Sequence, residues 1–162
     1  MKIRAFANDD LAAICAIQLK CPHAAQWLPA DYLNLARDPL GTVLVAEVED
    51  ANLPRVAGFA AFHRVMDEAE LRNIAIDPLH QRKGLARALL AAGLRTLVES
   101  GVRRIFLEVR DSNQPALAFY RAAGFQLLYT RHDYYHDPVG DALVMACDIG
   151  AFSESSFGKE EL

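Results

Sequence analysis

The stretch Asn73–Leu90 reads NIAIDPLHQRKGLARALL and contains a strand, a turn and the start of a helix in direct succession. The apolar run at 71–76 predicts a strand, and Asp77-Pro78 ends it because proline has no N–H to donate to a sheet. Apolar residues then recur at helical spacing over 85–97, which predicts an amphipathic helix. Gly84 and two cations therefore lie where a strand-derived loop becomes a helix.

This junction has the chemistry of a phosphate-binding site. The first-turn N–H groups of a helix have no partner inside the helix and carry partial positive charge. The small residues Gly84 and Ala86 leave these groups open to a ligand, and Arg82, Lys83 and Arg87 add charge. An ordinary loop with solvated cations is the alternative, but the strand before it and the helix after it favour phosphate binding.

The spacing around Gly84 narrows the kind of phosphate ligand. It matches neither the G-x-G-x-x-G pattern of dinucleotide sites nor the Gly-Lys-Ser/Thr of P-loops. The segment 81–86 instead resembles the Q/R-x-x-G-x-G/A pyrophosphate loop of the GNAT acetyltransferases. The segment 107–125, LEVRDSNQPALAFYRAAGF, resembles the second half of the same fold. The segment 133–145, DYYHDPVGDALVM, resembles one branch of the family, the ribosomal-protein-alanine N-acetyltransferases.

The order of predicted elements and this resemblance lead to one fold class. Consecutive strands followed by alternating strands and helices predict a mixed sheet with helices on both faces. The resemblance, which extends over about 3–148 and is strong from Leu71 onward, implies an α/β fold. Its sheet is mixed and mostly antiparallel, with a splayed central strand pair.

The resemblance also implies acetyl-CoA as the co-substrate. Its pyrophosphate is expected on the loop at 82–87, and its pantetheine amides are expected to pair with the backbone of 74–76 like an added strand. The residues expected to bind acetyl-CoA are Ile74, Ala75, Ile76, Arg82, Lys83, Gly84, Leu85, Ala86, Arg87 and Asn113. Asn113 also precedes a predicted helix, so helix capping alone would explain it.

Glu108 is the candidate general base. Alternation along the predicted strand 104–110 places Glu108 on the face opposite Leu107 and Val109. A carboxylate in mid-strand costs desolvation energy unless a partner or a reaction uses it. The alternatives are a glutamate at an open cleft or one paired with an arginine, whereas the LEVR resemblance implies the base of the transfer reaction.

Tyr120 is the candidate general acid. It lies two helical turns after Asn113, beside Phe119, where a packed core tyrosine is the simple interpretation. The resemblance implies that this tyrosine protonates the departing thiolate. A phenol with an ordinary pKa of about 10 can do so for a thiol of about 8.5 at neutral pH.

An α-amine is the expected acceptor group. Neutralising a lysine at pH 7 costs about 3.5 kcal/mol more than neutralising an α-amine, since their pKa values differ by about 2.6. The resemblance agrees and implies the N-terminus of a protein or peptide, such as a ribosomal protein. The residues expected to contact this acceptor are Trp27, Tyr134, Tyr135 and Asp141. The residues just before two of these positions depart from the family pattern, since Gln26-Trp27 stands where the family has Pro-Trp and Gly140-Asp141 where it has Glu-Asp.

Two other functions remain open from the sequence. An acetyltransferase of a small amine, such as a polyamine or an antibiotic sugar, would share the acetyl-CoA half of the chain. A catalytically inactive acyl-CoA-binding regulator would share it too, although the joint presence of Glu108 and Tyr120 favours an enzyme.

Size and composition set the remaining expectations. We expect one domain at 1–149 and a disordered tail at 150–162, where serine and glutamate outnumber apolar residues. A net charge of −4 gives no general attraction to nucleic acid or anionic membrane, and the longest apolar run is too short to span a bilayer. Oligomeric state is not readable from the chain.

Cysteine and histidine spacing indicates a reduced, cytoplasmic protein without a metal. The three cysteines lack C-x-x-C spacing, and the N-terminus lacks a signal-peptide core. His132 and His136 lie four apart in a predicted strand and are separated by roughly 13 Å, at a rise of about 3.3 Å per residue. Two histidines that bind one zinc ion must each lie about 2 Å from it, so this spacing does not predict a zinc site.

Overall fold

A computed structural model describes residues 1–150. The strands are β1 (Lys2–Ala5), β2 (Gly41–Asp50), β3 (Leu53–Val65), β4 (Glu68–Ile76), β5 (Arg104–Arg110), β6 (Gln126–His136) and β7 (Val139–Asp148). The α-helices are α1 (Leu11–Leu19), α2 (Pro29–Arg37), α3 (Leu85–Glu99) and α4 (Gln114–Ala122), and 3-10 helices occupy Asn8–Asp10 and Pro78–His80. Residues 151–162 of the expected tail lie outside the described part of the chain.

The seven strands form one sheet in the order β1-β2-β3-β4-β5-β7-β6. Its pairings are antiparallel except that between β4 and β5, which is parallel. The α3 crossover makes this parallel pairing possible, since parallel neighbours need a long connection. The predicted mixed, mostly antiparallel sheet is confirmed.

The parallel pair is splayed. β4 and β5 are paired only from Glu68 with Arg104 to Glu70 with Phe106, although β4 continues to Ile76 and β5 to Arg110. Just beyond the last pair, the register between β3 and β4 shifts by one residue, which leaves Arg72 as an extra residue in β4. Such a bulge bends a strand and increases its twist. The sheet therefore opens into a cleft between β4 and β5, as expected.

Helices cover both faces of the sheet. Val45 and Phe59 pack against α1 and α2, whereas their neighbours along the strands, such as Leu44 and Ala60, lie in the larger cluster with α3 and α4. Alternation along β2 and β3 produces this division, since successive side chains point to opposite faces. α3 lies close to the sheet at Gly93, where a Cβ atom would lie 2.2 Å from the Phe62 ring.

The strands and the helix that the local pattern predicts are present in the structure. The strand predicted at 104–110 is β5 with the same bounds, the apolar run predicted as a strand at 71–76 lies in β4, which begins at Glu68, and the helix predicted over 85–97 is α3, which continues to Glu99. Between β2 and β3, Ala51 and Asn52 both have positive φ. Two such residues form the tight turn that matches strand twist, which lets both strands continue almost to it. No helix within residues 1–150 is long and apolar enough to cross a membrane.

Candidate active site

The splay between β4 and β5 opens a cavity of about 960 Å³. Its walls come from β4, β5, the loop after α1, the start of α3 and part of α4. Most of the residues predicted to act on a ligand line it: Ile74, Ala75, Ile76, Arg82, Gly84, Leu85, Ala86, Arg87, Glu108, Asn113, Tyr120 and Tyr135. The structure thus brings the predicted phosphate loop, base and acid into one cleft.

The loop before α3 presents the helix N-terminus to this cleft. Gly84 caps α3 in the left-handed region at φ 83°, and a Cβ atom added there would meet nothing within 4 Å. Arg82 also has a positive φ, of 61°, which a non-glycine residue rarely adopts. Asp77 and Gln81 brace the loop, since the Asp77 carboxylate accepts from the Leu79 N–H and the Gln81 amide donates to the Ile76 carbonyl. The helix start is therefore open and held in place.

Lys83 differs from its neighbours in this loop. Its Nζ donates to the Leu79 carbonyl at 3.0 Å, and Lys83 is not among the residues that line the cleft. The sequence placed it with the phosphate-binding residues because of its position next to Gly84. In this structure it braces the loop instead, and its expected contact with acetyl-CoA stays a prediction.

Glu108 lies in the cleft and also has an arginine partner. Its side chain is 27% exposed, and its Oε1 lies 3.4 Å from Arg131 Nε on β6. Its strand neighbours Leu107 and Val109 pack with α3 and α4, so Glu108 points to the face that carries α1 and α2. An ion pair this open to solvent contributes little stability, which leaves the carboxylate available to a ligand.

Tyr120 reaches the cleft from the opposite face. It is buried in α4 with its ring centroid 5.2 Å from that of Phe119 and 5.7 Å from that of Phe125. Burial raises the pKa of the Tyr120 phenol, so the hydroxyl stays protonated at neutral pH. Asn113 begins this helix, because its Oδ1 accepts from the Ala116 N–H at 3.3 Å. The capping alternative for Asn113 thus holds, and the residue lines the cleft as well.

Of the predicted acceptor residues, only Tyr135 lines the cleft. The Arg110 guanidinium lies 4.0 Å from the centroid of its ring. Tyr134 is 45% exposed and packs edge-on against Tyr135, outside the cleft lining. Asp141 is also outside it, since its carboxylate accepts from the Asp133 N–H at 2.9 Å and lies 3.1 Å from the His132 ring.

Trp27 borders a second, smaller cavity instead of the main cleft. This cavity has a volume of about 370 Å³ and lies between α2 and the sheet. The ring centroids of Trp27 and Tyr32 are 5.0 Å apart. The Arg72 guanidinium lies 5.4 Å from the centroid of the Trp27 ring. Arg72 lines both cavities, so the two adjoin at the β4 bulge. The acceptor contacts of Trp27, Tyr134 and Asp141 stay predictions.

In the loop between α1 and α2 the sequence interpretation assigned only Trp27 as a contact residue, and it did not predict that the residues before Trp27 face the cleft. Residues 20–26 line the cleft, and Cys21 Sγ donates to the Ile76 carbonyl at 3.2 Å. Asn73 holds the same loop from β4 and is buried. A polar residue within the apolar strand NIAI was the available signal, because buried amides need partners.

Across residues 1–150, no group of three or more histidine, cysteine or carboxylate side chains is arranged to hold a metal ion. The three cysteines at 15, 21 and 147 are free thiols. The cleft itself is lined by acid–base groups, by cations and by the start of a helix.

An open helix N-terminus, a carboxylate and a protonated phenol share one cleft, an arrangement that suits group transfer from a phosphate-bearing donor. A model of the acetyltransferase (GNAT) family matches residues 11–125. The chain belongs to this family.

Its relatives narrow the comparison further. The chain is 45% identical over 97 residues to the ribosomal protein bS18-alanine N-acetyltransferase of Escherichia coli K12, an alignment that covers 59% of this chain and 66% of that protein. It is 37% identical to the enzyme of the same name from Salmonella typhimurium over 91% of this chain and 97% of that one. The crystal structure of the Escherichia coli ribosomal-protein-S18-alanine N-acetyltransferase superposes with a TM-score of 0.81 at 34% identity, covering 95% of this chain and 97% of that one.

Proposed function

We propose that this protein transfers the acetyl group of acetyl-CoA to the N-terminal α-amine of a protein or peptide. The observation that carries the proposal is the splay of β4 from β5, which brings the start of α3, Glu108 and Tyr120 to one cleft. The Escherichia coli and Salmonella relatives are named for acetylation of the alanine terminus of ribosomal protein bS18, which supports an α-amine acceptor.

The residues of the cleft fit acetyl-CoA. The free N–H groups at the start of α3 suit a pyrophosphate, and Arg82 at the cleft wall adds positive charge. Beyond Glu70 the edge of β4 is not paired with β5, which supports pairing of an extended ligand with the backbone of 74–76. Asn113 lies on the opposite wall, in the turn after β5.

Direct attack is the mechanism that the two faces of the cleft support. Glu108 takes the proton of the acceptor ammonium, directly or through water, and the neutral nitrogen attacks the thioester carbonyl carbon. A backbone N–H of β4 stabilises the resulting oxyanion. Collapse breaks the carbon–sulfur bond, and Tyr120 gives its proton to the thiolate. The nitrogen releases its remaining extra proton to solvent to give the amide, and a proton from solvent restores the Tyr120 phenol. The acetyl group thus passes to nitrogen without an acetyl-enzyme.

Tyr120→Phe is expected to lower kcat by about tenfold or more with little change in folding stability, because it removes the acid and keeps the ring. The packing against Phe119 and Phe125 should survive. Steady-state kinetics with saturating acetyl-CoA, together with thermal melting, measures both effects. A normal kcat in a folded variant would assign Tyr120 to the core alone.

A peptide with a free N-terminal alanine is expected to react more than tenfold faster than the same peptide blocked at its N-terminus but carrying a lysine. Part of the protonation difference of about 3.5 kcal/mol should appear in kcat/KM. Release of CoA with each peptide and with spermidine measures the preference. Equal rates on the two peptides, or a strong preference for spermidine, would support a small-amine acetyltransferase instead.

The partner and location follow from this proposal. A protein N-terminus, such as that of a ribosomal protein, is the acceptor, and neither nucleic acid nor a membrane takes part. A cytoplasmic location is consistent with three free thiols in a chain without a disulfide among its described residues.

A further inference from the structure

The loop between α1 and α2 forms a wall of the cleft without regular secondary structure. It connects Leu19 to Pro29, and its residues from Lys20 to Gln26 line the cleft. A loop of this length has many conformations in solution, and fixing one of them costs conformational entropy. The loop therefore needs contacts with the rest of the protein that fix its conformation if it is to recognise a ligand.

Two side-chain amides hold the backbone of the loop. The Gln18 amide accepts from the Trp27 N–H at 3.0 Å and donates to the Trp27 carbonyl at 2.9 Å. The Asn73 amide accepts from the Ala25 N–H at 3.2 Å and donates to the Ala25 carbonyl at 2.9 Å. Each amide therefore pairs with both backbone groups of one residue, as a neighbouring strand would.

The Tyr32 hydroxyl joins the two amides. It donates to Gln18 Oε1 and accepts from Asn73 Nδ2 at 3.0 Å. Gln18 and Asn73 are each 4% exposed, and Tyr32 is fully buried. A buried polar network stabilises a protein only when each of its polar atoms has a hydrogen-bond partner. Apolar side chains could fill the same space without this requirement. We call Gln18, Tyr32 and Asn73 the amide clamp.

The clamp lies at the level of the proposed base. The last paired residues of β4 and β5 are Glu70 and Phe106, and Asn73 and Glu108 follow three and two residues later. Asn73 contacts Tyr32 of α2, so it points to the same face of the sheet as Glu108.

The phosphate loop lies beyond the end of β4, where Asp77 and Gln81 brace it. The start of the α1–α2 loop meets it there, since Lys20 Nζ lies 3.0 Å from Asp77 Oδ2, whereas the clamp binds Ala25 and Trp27 near the other end of that loop. The clamp therefore fixes the part of the cleft that lies beside Glu108, and none of its hydrogen bonds within residues 1–150 reaches the proposed pyrophosphate site.

We propose that the amide clamp positions the acceptor-side wall of the cleft and thereby sets the affinity for the acceptor. The three residues are positioning residues, since they act through the loop backbone at Ala25 and Trp27. The proposal rests on the acetyltransfer proposed above, and it adds the residues that determine acceptor recognition.

Asn73→Leu and Tyr32→Phe test the clamp. Asn73→Leu removes both bonds to Ala25, whereas Tyr32→Phe breaks only the link between the two amides. We expect KM for an N-terminal alanine peptide to rise about tenfold in Asn73→Leu and by less in Tyr32→Phe. KM for acetyl-CoA should stay within about twofold in both. Leu97→Ala, a buried position of α3 outside the cleft, is the control for a loss of stability alone.

Amide hydrogen exchange provides a readout that does not depend on activity. Exchange at Ala25 should accelerate in Asn73→Leu and stay unchanged in Leu97→Ala, because only the first variant removes the acceptor of that N–H. Equal increases in the two KM values, or unchanged exchange and unchanged peptide KM, would overturn the clamp. If the wild type releases no CoA with any amine, the proposed acetyltransfer fails, and unchanged exchange would still overturn the clamp. If Asn73→Leu does not fold, the peptide KM of Tyr32→Phe provides the test.

Discussion

Glu108→Gln is expected to lower kcat/KM by about 10²-fold or more while the affinity for acetyl-CoA stays unchanged. The amide keeps the size of the carboxylate but does not accept a proton from the acceptor ammonium. Kinetics with an N-terminal alanine peptide and a separate measurement of acetyl-CoA binding test the two parts of this expectation.

The defect of Glu108→Gln should shrink as the pH rises. Above the pKa of the acceptor amine, about 7.8 for an α-amine, the nucleophile is already neutral and needs no base. A loss that is the same at every pH would indicate a structural glutamate. Arg131→Gln is the matched control, because it removes the partner 3.4 Å from Glu108 and keeps the carboxylate. Arg131→Gln should retain most of the activity, because the reaction needs the Glu108 carboxylate and not its ion pair with Arg131.

Gly84→Asp is expected to abolish the stabilisation that acetyl-CoA gives to the folded protein. A ligand at a hundredfold its Kd adds about 2.7 kcal/mol of stability, which appears as a higher Tm. A carboxylate at this position would repel the pyrophosphate and crowd the backbone donors of α3. Thermal melting with and without acetyl-CoA measures the loss.

Gly84→Asn separates charge from backbone strain in this experiment. Gly84 has a φ of 83°, which any side chain adopts with some strain, although a Cβ atom there meets nothing within 4 Å. Asparagine and aspartate tolerate this region about equally, so the two variants should fold alike. Only the aspartate adds a negative charge. A full acetyl-CoA shift in folded Gly84→Asp would reject the phosphate loop.

The shape of the cleft wall proposed to hold acetyl-CoA could be predicted because its signals are local. The proline after β4, Gly84 and the apolar spacing of α3 each act within one or two turns of chain. These features were enough to place the loop at 82–87, with the exception of Lys83, whose side chain turns back to Leu79. A short sequence does not specify which way a flexible lysine points.

The acceptor half was harder to predict because its contacts join distant parts of the chain. Asn73 and Ala25 are 48 residues apart, and Cys21 and Ile76 are 55 apart. Trp27, Tyr134 and Asp141 were assigned by resemblance, yet in the structure Trp27 packs on Tyr32 and borders the second cavity. Side-chain packing across the sheet decides these positions, and no local pattern encodes it.

The amino-acid sequence by itself determined the strands and helices, the loop that leads into α3 and the position of a carboxylate in mid-strand, since hydrophobic periodicity and turn residues act locally. Only the tertiary structure decided where the sheet opens and which wall faces Glu108. Pairing between β4 and β5 stops after Glu70, and buried amides fix a loop that has no periodicity of its own. The extent of strand pairing and the contacts of the buried amides both depend on residues far apart in the sequence, which meet only when the core brings them together.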